Sequence, residues 1–409
     1  MLRRIDKVDV RVKHNASAAC NEGTACANAA DAAAAAHRPI APHSPAEPSL
    51  NPLEHQLRYP WTEAPAPASV VTLRPGVHWL RMGLPFALDH INLWLLDDEI
   101  DGRAGFTAID TGITSEATMA AWERLFDTFF AGRPLLRVIS THYHPDHVGL
   151  AHWLTAGGRQ HRWRVPLWMS AGEYGYARFL SGEGGAVTSD GMVKHFRRNG
   201  LTDAELLARL RTRGTNHYPK LVPALPSSYV RIHDDDTIAI GARRFRVIVG
   251  HGHAVEHVSL YSDSDRLLVS GDMVLPRIST NVAVFDIEPE GNPLPLYLRS
   301  LDRYLPLPAD TLVLPSHGLP FTGLHARVMQ QHQHHADRLA EVLAACATPK
   351  SAAEIVPVLF RRELDAHQLG FALGESLAHL HALWHAGRLR RQRDDDEVFR
   401  FVASGADAH

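Results

Sequence analysis

The sequence predicts an α/β chain, in the α+β sense, built from two β-sheets packed face to face with helices outside, followed by a small C-terminal module. Three observations predict this. Strand-like runs fall into two blocks, residues 70–140 and 237–314, and helical pattern follows each. The loops after these strands concentrate His and Asp, where open α/β sheets place their chemistry. From residue 345 the pattern turns into short helices and a hairpin.

Residues 1–68 are rich in Ala and Pro with little periodic apolar content, so they read as a disordered extension. The two-sheet body is expected over 69–344. In it VTLRPGVHWLRM, HINLWLLDD and GFTAIDTG read as strands split by turn residues. Thr114 caps a helix carrying Met119, Trp122, Phe126 and Phe129 at helical spacing, ended by Gly132. Leu136–Ser140 reads as a buried strand and Val148–Leu154 as the start of a helix.

Residues 172–232 are irregular, with a Gly-rich loop (Ser181–Ala186) and a helical piece near Asp203–Arg213, a candidate substrate-covering insertion. Strands return as the hairpin Thr237–Ile240 and Arg243–Val249, the pair Val258–Tyr261 and Leu267–Ser270, and the short Thr311–Leu314. In the helix Leu324–Ala345, the run His332-Gln333-His334-His335 reads as a solvated face. Three short helices (Ser351–Leu359, Leu364–Leu369, Leu373–Ala386) and a hairpin (Arg388–Arg393, Val398–Val402) describe a winged-helix-like module over 345–403, with a tail at 404–409.

Composition excludes several classes. A formal net charge of -3 gives no global field for nucleic acid. Cys20, Cys26 and Cys346 are the only cysteines, so a disulfide framework is not expected. No run of about 20 apolar residues appears, so no membrane span is expected. The basic N-terminus lacks the apolar stretch of a secretory signal, and a cytoplasmic address is expected.

The most telling segment is His142-Tyr143-His144-Pro145-Asp146-His147, on a strand-to-helix loop. Imidazole and carboxylate at this density are the usual ligands of a divalent transition metal. Neighbouring side chains diverge, so further ligands are expected from other strand ends. His253, Asp272 and His317 each follow a strand beside a glycine. Arg277 is a candidate to meet an anionic substrate group, though a surface arginine fits as well. Tyr174 borders the irregular stretch as a candidate pocket residue, or as packing.

With THYHPDHVGLA (141–151), GHAVEH (252–257), SGD (270–272), PSHG (315–318) and the Asp110-Thr111-Gly112 turn, the chain resembles the metallo-β-lactamase superfamily over about 70–340. The resemblance implies a four-layer αββα sandwich with two metal ions at one edge. It places one ion on His142, His144 and His253, the other on Asp146, His147 and His317, with Asp272 and a water bridging them. His251 and His257 then take supporting roles. The ligand set looks like that of glyoxalase II and related general hydrolases, and the C-terminal module resembles the winged helix attached to some of them. Zn(II) suits the donors first, with Fe or Mn tolerated. Asp110 is a candidate partner for a ligand imidazole, or simply a turn-former.

What this implies is a hydroxyacylglutathione hydrolase-like enzyme in which a metal-bridging hydroxide cleaves a small thioester, ester or lactone. Asp272 would hold, and Asp146 orient, that nucleophile. The alternative is an endoribonuclease using the same metals, with the winged helix binding RNA. A third, non-catalytic reading is a nucleic-acid-binding protein. The acidic turn Asp394–Glu397 beside the basic Arg388–Arg393 argues for an internally compensated hairpin rather than an RNA surface. Oligomeric state is not legible in the sequence.

Overall fold

The computed structural model describes residues 51–182, 189–214 and 217–405. Residues 1–50, most of the expected extension, lie outside them, as do 183–188 of the Gly-rich loop and 406–409 of the tail.

A seven-stranded sheet runs β1 (Val71–Arg74), β2 (Val77–Gly83), β3 (His90–Ile100), β4 (Arg103–Ile109), β5 (Leu135–Ile139), β6 (Leu167–Met169) and β7 (Val230–Arg231) in sequence order. Its first four strands form an antiparallel meander, and β4 to β7 are parallel. A five-stranded sheet has the order β12 (Leu312–Pro315), β11 (Leu267–Gly271), β10 (His257–Ser262), β9 (Arg243–Gly250), β8 (Thr237–Ile240). Within it β12 pairs parallel to β11 and the rest are antiparallel.

Period-two alternation builds the layers. On β3, Trp94 and Leu96 point to the second sheet, where Phe245, Val247, Val258, Leu260 and Leu314 meet them. Leu93 and Leu95 point the other way, to Trp122, Phe126 and Phe130 of the flanking helix Glu116–Thr128 and its end. Ile248, Leu268 and Val313 of the second sheet face the helices Pro293–Asp302 and Leu324–Ala345. The central strands of both sheets are thus buried on both faces, and the result is an αββα sandwich.

Several expectations need correction. Residues 51–68 are not part of a loose extension. Asn51 is buried and its side-chain amide donates to Pro276 O (3.0 Å) and Gln330 Oε1 (2.9 Å). Leu57 enters the core and Arg58 bridges to Thr322. A few anchors hold this strap, too sparse to give a period.

The irregular stretch is largely helical (Ala171–Leu180, Ser189–Arg198, Ala204–Gly214), and Phe196, Leu201, Leu207 and Leu210 pack against the C-terminal helices. Those helices number two after residue 350, Ala352–Leu359 and the continuous Ala366–His385, rather than three. The longer one passes through Gly370 and Gly374, where a Cβ on Gly374 would stand 2.9 Å from Ala283 Cβ. The hairpin β13 (Leu389–Arg393) and β14 (Phe399–Ala403) closes the chain. Leu377, Leu380, Leu389 and Phe401 share one core with Ile248 and Val313, so the module is fused to the body. His335, expected on a solvated face, is fully buried against Tyr297 and His379.

Candidate metal centre

The two sheets deliver their chemistry at one edge. Asp110 follows β4, Thr141–His147 follow β5, His253 lies between β9 and β10, Asp272 follows β11, and His317 follows β12. Glycines let these turns close: a Cβ on Gly271 (φ +53°) would lie 2.4 Å from the His257 ring, and one on Gly252 (φ +99°) 2.5 Å from Pro293 O.

All seven predicted candidate ligands converge, in two sets. His142, His144, His253 and Asp272 form one set; Asp146, His147 and His317 form the other. In the first, His142 Nε2 is 2.8 Å from His144 Nδ1 and 3.2 Å from His253 Nε2. In the second, Asp146 Oδ2 is 3.6 Å from His147 Nε2 and 3.5 Å from His317 Nε2. Donors held tetrahedrally at about 2.0–2.1 Å from one ion lie roughly 3.3 Å apart, so each set has the spread of a single coordination shell.

Asp272 stands between the sets. Its Oδ2 is 3.4 Å from His253 Nε2 and 4.0 Å from His142 Nε2, while its Oδ1 is 3.4 Å from His317 Nε2 and 3.5 Å from His147 Nε2.

The outer nitrogens are tied down, which fixes the tautomers. His253 Nδ1 donates to Asn281 O (2.7 Å) and His317 Nδ1 to His90 O (2.7 Å). His147 Nδ1 lies 2.8 Å from Asp110 Oδ2. The Thr141 hydroxyl donates to Asp110 and lies 3.0 Å from His142 Nδ1. The inner faces are left over: His147 Nε2 and Asp272 Oδ1 are buried without a protein hydrogen-bond partner.

Electrostatics agree. Burial, reinforced by neighbouring imidazoles, holds His142 and His144 far below the usual histidine range, in the neutral form a metal requires. Burial also disfavours charge on His147 and His317, yet Asp146, Asp272 and, at His147, Asp110 outweigh it and raise both. Burial likewise opposes the Asp272 carboxylate, and His317 and His147 reverse it. Carboxylates drawing positive charge onto two buried imidazoles create the field a divalent cation would satisfy, and the imidazole–carboxylate donors fit one.

Arg277 is engaged in an ion pair, its Nε lying 3.4 Å from Glu54 Oε1. Tyr174 is buried, stacks on Tyr229 (3.9 Å) and donates its hydroxyl to Pro226 O (2.7 Å). His257 takes a supporting place, its Nε2 accepting from Asp272 N (3.1 Å), and His251 holds Val255 O through Nδ1.

Sequence reasoning missed Asn92, Glu173 and Asn281. Asn92 is fully buried and joins β3 to the His317 turn by donating to Pro315 O (2.8 Å) and Gly318 O (2.9 Å). Its signal was an amide inside an apolar strand. Glu173 had a misleading signal: Ser170-x-x-Glu173 spells a helix cap, and Ser170 does cap, but the glutamate turns elsewhere.

With this geometry in place, comparison with known proteins is direct. The metallo-beta-lactamase superfamily profile matches residues 88–317, more than half of the chain, and that of the metallo-beta-lactamase-like C-terminal domain matches 339–404. The chain therefore belongs to the metallo-beta-lactamase superfamily, a fold family built around divalent metal ions.

A beta-lactamase domain protein from Burkholderia ambifaria is 55% identical, with a TM-score of 0.82 over 86% of this chain and 99% of that one. A metallo-beta-lactamase family protein from Thermus thermophilus is 26% identical, with a TM-score of 0.66 over 81% and 100%. The lactamase-like protein adaB from Aspergillus niger is 27% identical over 178 residues, 40% of this chain and 53% of the relative. The chain spans about half the length of the curated relatives it matches. Among the described residues no helix is long and apolar enough to cross a membrane.

Proposed function

We propose that the protein is a dinuclear metal-dependent hydrolase of a small thioester, ester or lactone, with Zn(II) as the first-choice metal and the cytoplasm as its address. One observation carries the reading: the two Asp272 oxygens divide between two sets of imidazole donors. In this reading His142, His144 and His253 would hold one ion and Asp146, His147 and His317 the other, with Asp272 offering one oxygen to each set. When bound, such ions acidify a water to near neutrality and polarise a carbonyl.

The chain's own residues do the rest. Asp146, between His147 and His317, orients the nucleophilic water. Asp272 fixes the spacing of the two sets. Aromatic rings step outward from the ligands: Tyr143 is 4.6 Å from His144, Tyr176 4.7 Å from Tyr143, and the 37% exposed Phe179 6.5 Å from Tyr176. Burial, reinforced by the negative charges of Glu288 and Asp286, pushes the Tyr176 hydroxyl up to about 12. In this reading the rings line the approach to the ligands, and aromatic surface beside acidic residues favours an apolar, non-anionic acyl group over a strongly anionic substrate.

The RNA reading gains no support from the hairpin. Arg391 covers the Trp384 ring (3.9 Å) and pairs with Glu290 (2.9 Å), Arg393 pairs with Glu397 (2.8 Å), and Arg400 with Asp394 (2.7 Å) and Glu354 (2.6 Å).

The test is a panel of thioesters, esters, lactones, β-lactams and RNA on metal-loaded protein, with Asp272→Ala beside it. Acyl-substrate turnover that disappears in the variant is expected. Full activity in a fully metallated Asp272→Ala protein overturns the reading.

A further inference from the structure

We propose that Glu173 is a positioning residue that joins the two loops supplying the first ligand set, and so sets the affinity for the ion on His142, His144 and His253 rather than for its neighbour. This rests on the two-cation reading above.

Glu173 is fully buried in the first turn of the helix Ala171–Leu180. Its Oε2 accepts from Tyr143 N (2.8 Å), the peptide between His142 and His144. Its Oε1 accepts from Glu256 N (2.5 Å), in the turn that carries His253. One carboxylate thus spans two loops more than a hundred residues apart in sequence.

The contact belongs to a larger latch. Ser170 Oγ donates to Glu256 O (3.0 Å), and Gly172 N donates to Glu256 Oε2 (2.8 Å). A Cβ on Gly172 would lie 2.9 Å from the Glu256 carboxyl carbon, so any larger residue there would push that flexible side chain aside. On the opposite side of the Tyr143 residue, the Tyr218 hydroxyl donates to Tyr143 O (2.6 Å). The Tyr143 backbone is therefore gripped at both its N–H and its carbonyl.

Burying a carboxyl here is costly: desolvation pushes Glu173 up to about 7, against the two backbone N–H groups. Both carboxylate oxygens are used, one on each of two divergent N–H groups. The second set has its own supports, Asp110 on His147 and His90 on His317, which do not pass through Glu173.

Glu173→Gln tests this. The amide keeps the volume but offers one acceptor and one donor, so one of the two N–H groups faces an N–H. Zinc affinity is measured on the full chain by competition with a chromophoric chelator, with Co(II) absorption as a second readout and thermal unfolding of the metal-free protein as the control for folding. Wild type is expected to bind two equivalents, and Glu173→Gln to lose about 10–100-fold in affinity for one of them with the other unchanged.

Two unchanged affinities with an unaltered Co(II) spectrum would overturn the proposal. So would equal weakening of both equivalents accompanied by a lower melting temperature of the metal-free protein, which would make Glu173 a fold element only. Wild type binding fewer than two equivalents would instead sink the two-cation reading on which this stands.

Discussion

Asp110→Asn separates the two ligand sets by a single proton. Asp110 sits at φ +62°, a left-handed conformation that Asn accepts readily, so the backbone is undisturbed. Its Oδ1 accepts from Thr141 N (2.7 Å), and the carbonyl oxygen of Asn can keep that bond. Its Oδ2 lies 2.8 Å from His147 Nδ1, and there the substitution places an NH2 group against an N–H. The clash is relieved by moving the imidazole proton to Nε2, which removes the lone pair that faces the centre.

A hydrogen bond to a charged group contributes about 1.5–3 kcal/mol, which is roughly 10–150-fold in a binding constant. Chelator competition should show the ion on Asp146, His147 and His317 weakened by about that factor, and more than the other equivalent, which Asp110 reaches only through the Thr141 hydroxyl. Unchanged affinity at both equivalents would refute the reasoning and leave Asp110 as a turn-former.

Other outcomes follow from the packing. His379 and His381 are buried, donate Nδ1–H to Glu375 O and Gly291 O, and are pushed by burial down to about 4. The unfolded chain takes up these protons below about pH 6.5 and the folded one only near 4. Stability is therefore complete above 6.5 and falls on the order of 3 kcal/mol per histidine as pH drops through that window; a urea-denaturation series flat between pH 7 and 4.5 would contradict it. Leu380→Ala empties a fully buried position in the shared core, and a loss of about 2–5 kcal/mol in a single transition is expected; a separate early transition would show an independent module. Arg137 and Asp98 form a buried pair (2.7 Å), so Arg137→Met should cost about 3–5 kcal/mol in the same assay, and a neutral result would be inconsistent with an uncompensated Asp98.

The strands, the long helix Leu324–Ala345 and the convergence of seven candidate ligands were legible because each leaves a local signature: alternation, a 3.6 period, or His and Asp beside glycine at a strand end. What stayed hidden depends on partners far along the chain. The strap at 51–68 is held by Asn51 and Leu57, two residues that no window of hydropathy singles out. Gly370 lies where the sequence separates Leu364–Leu369 from Leu373–Ala386, yet the helix Ala366–His385 runs through it. His335 falls on the polar stripe of its helix, but the Ala366–His385 helix covers it through His379. Glu173 and Asn92 act across 83 and more than 220 residues of sequence, and neither spacing nor composition points to such pairings.

The central claim is that two cations share Asp272. Anomalous diffraction at the zinc edge from crystals of reloaded full-length protein tests it most directly. The account predicts two peaks, one among His142, His144 and His253 and one among Asp146, His147 and His317, with a carboxylate oxygen of Asp272 on each. A single peak, or none after reloading, would contradict it.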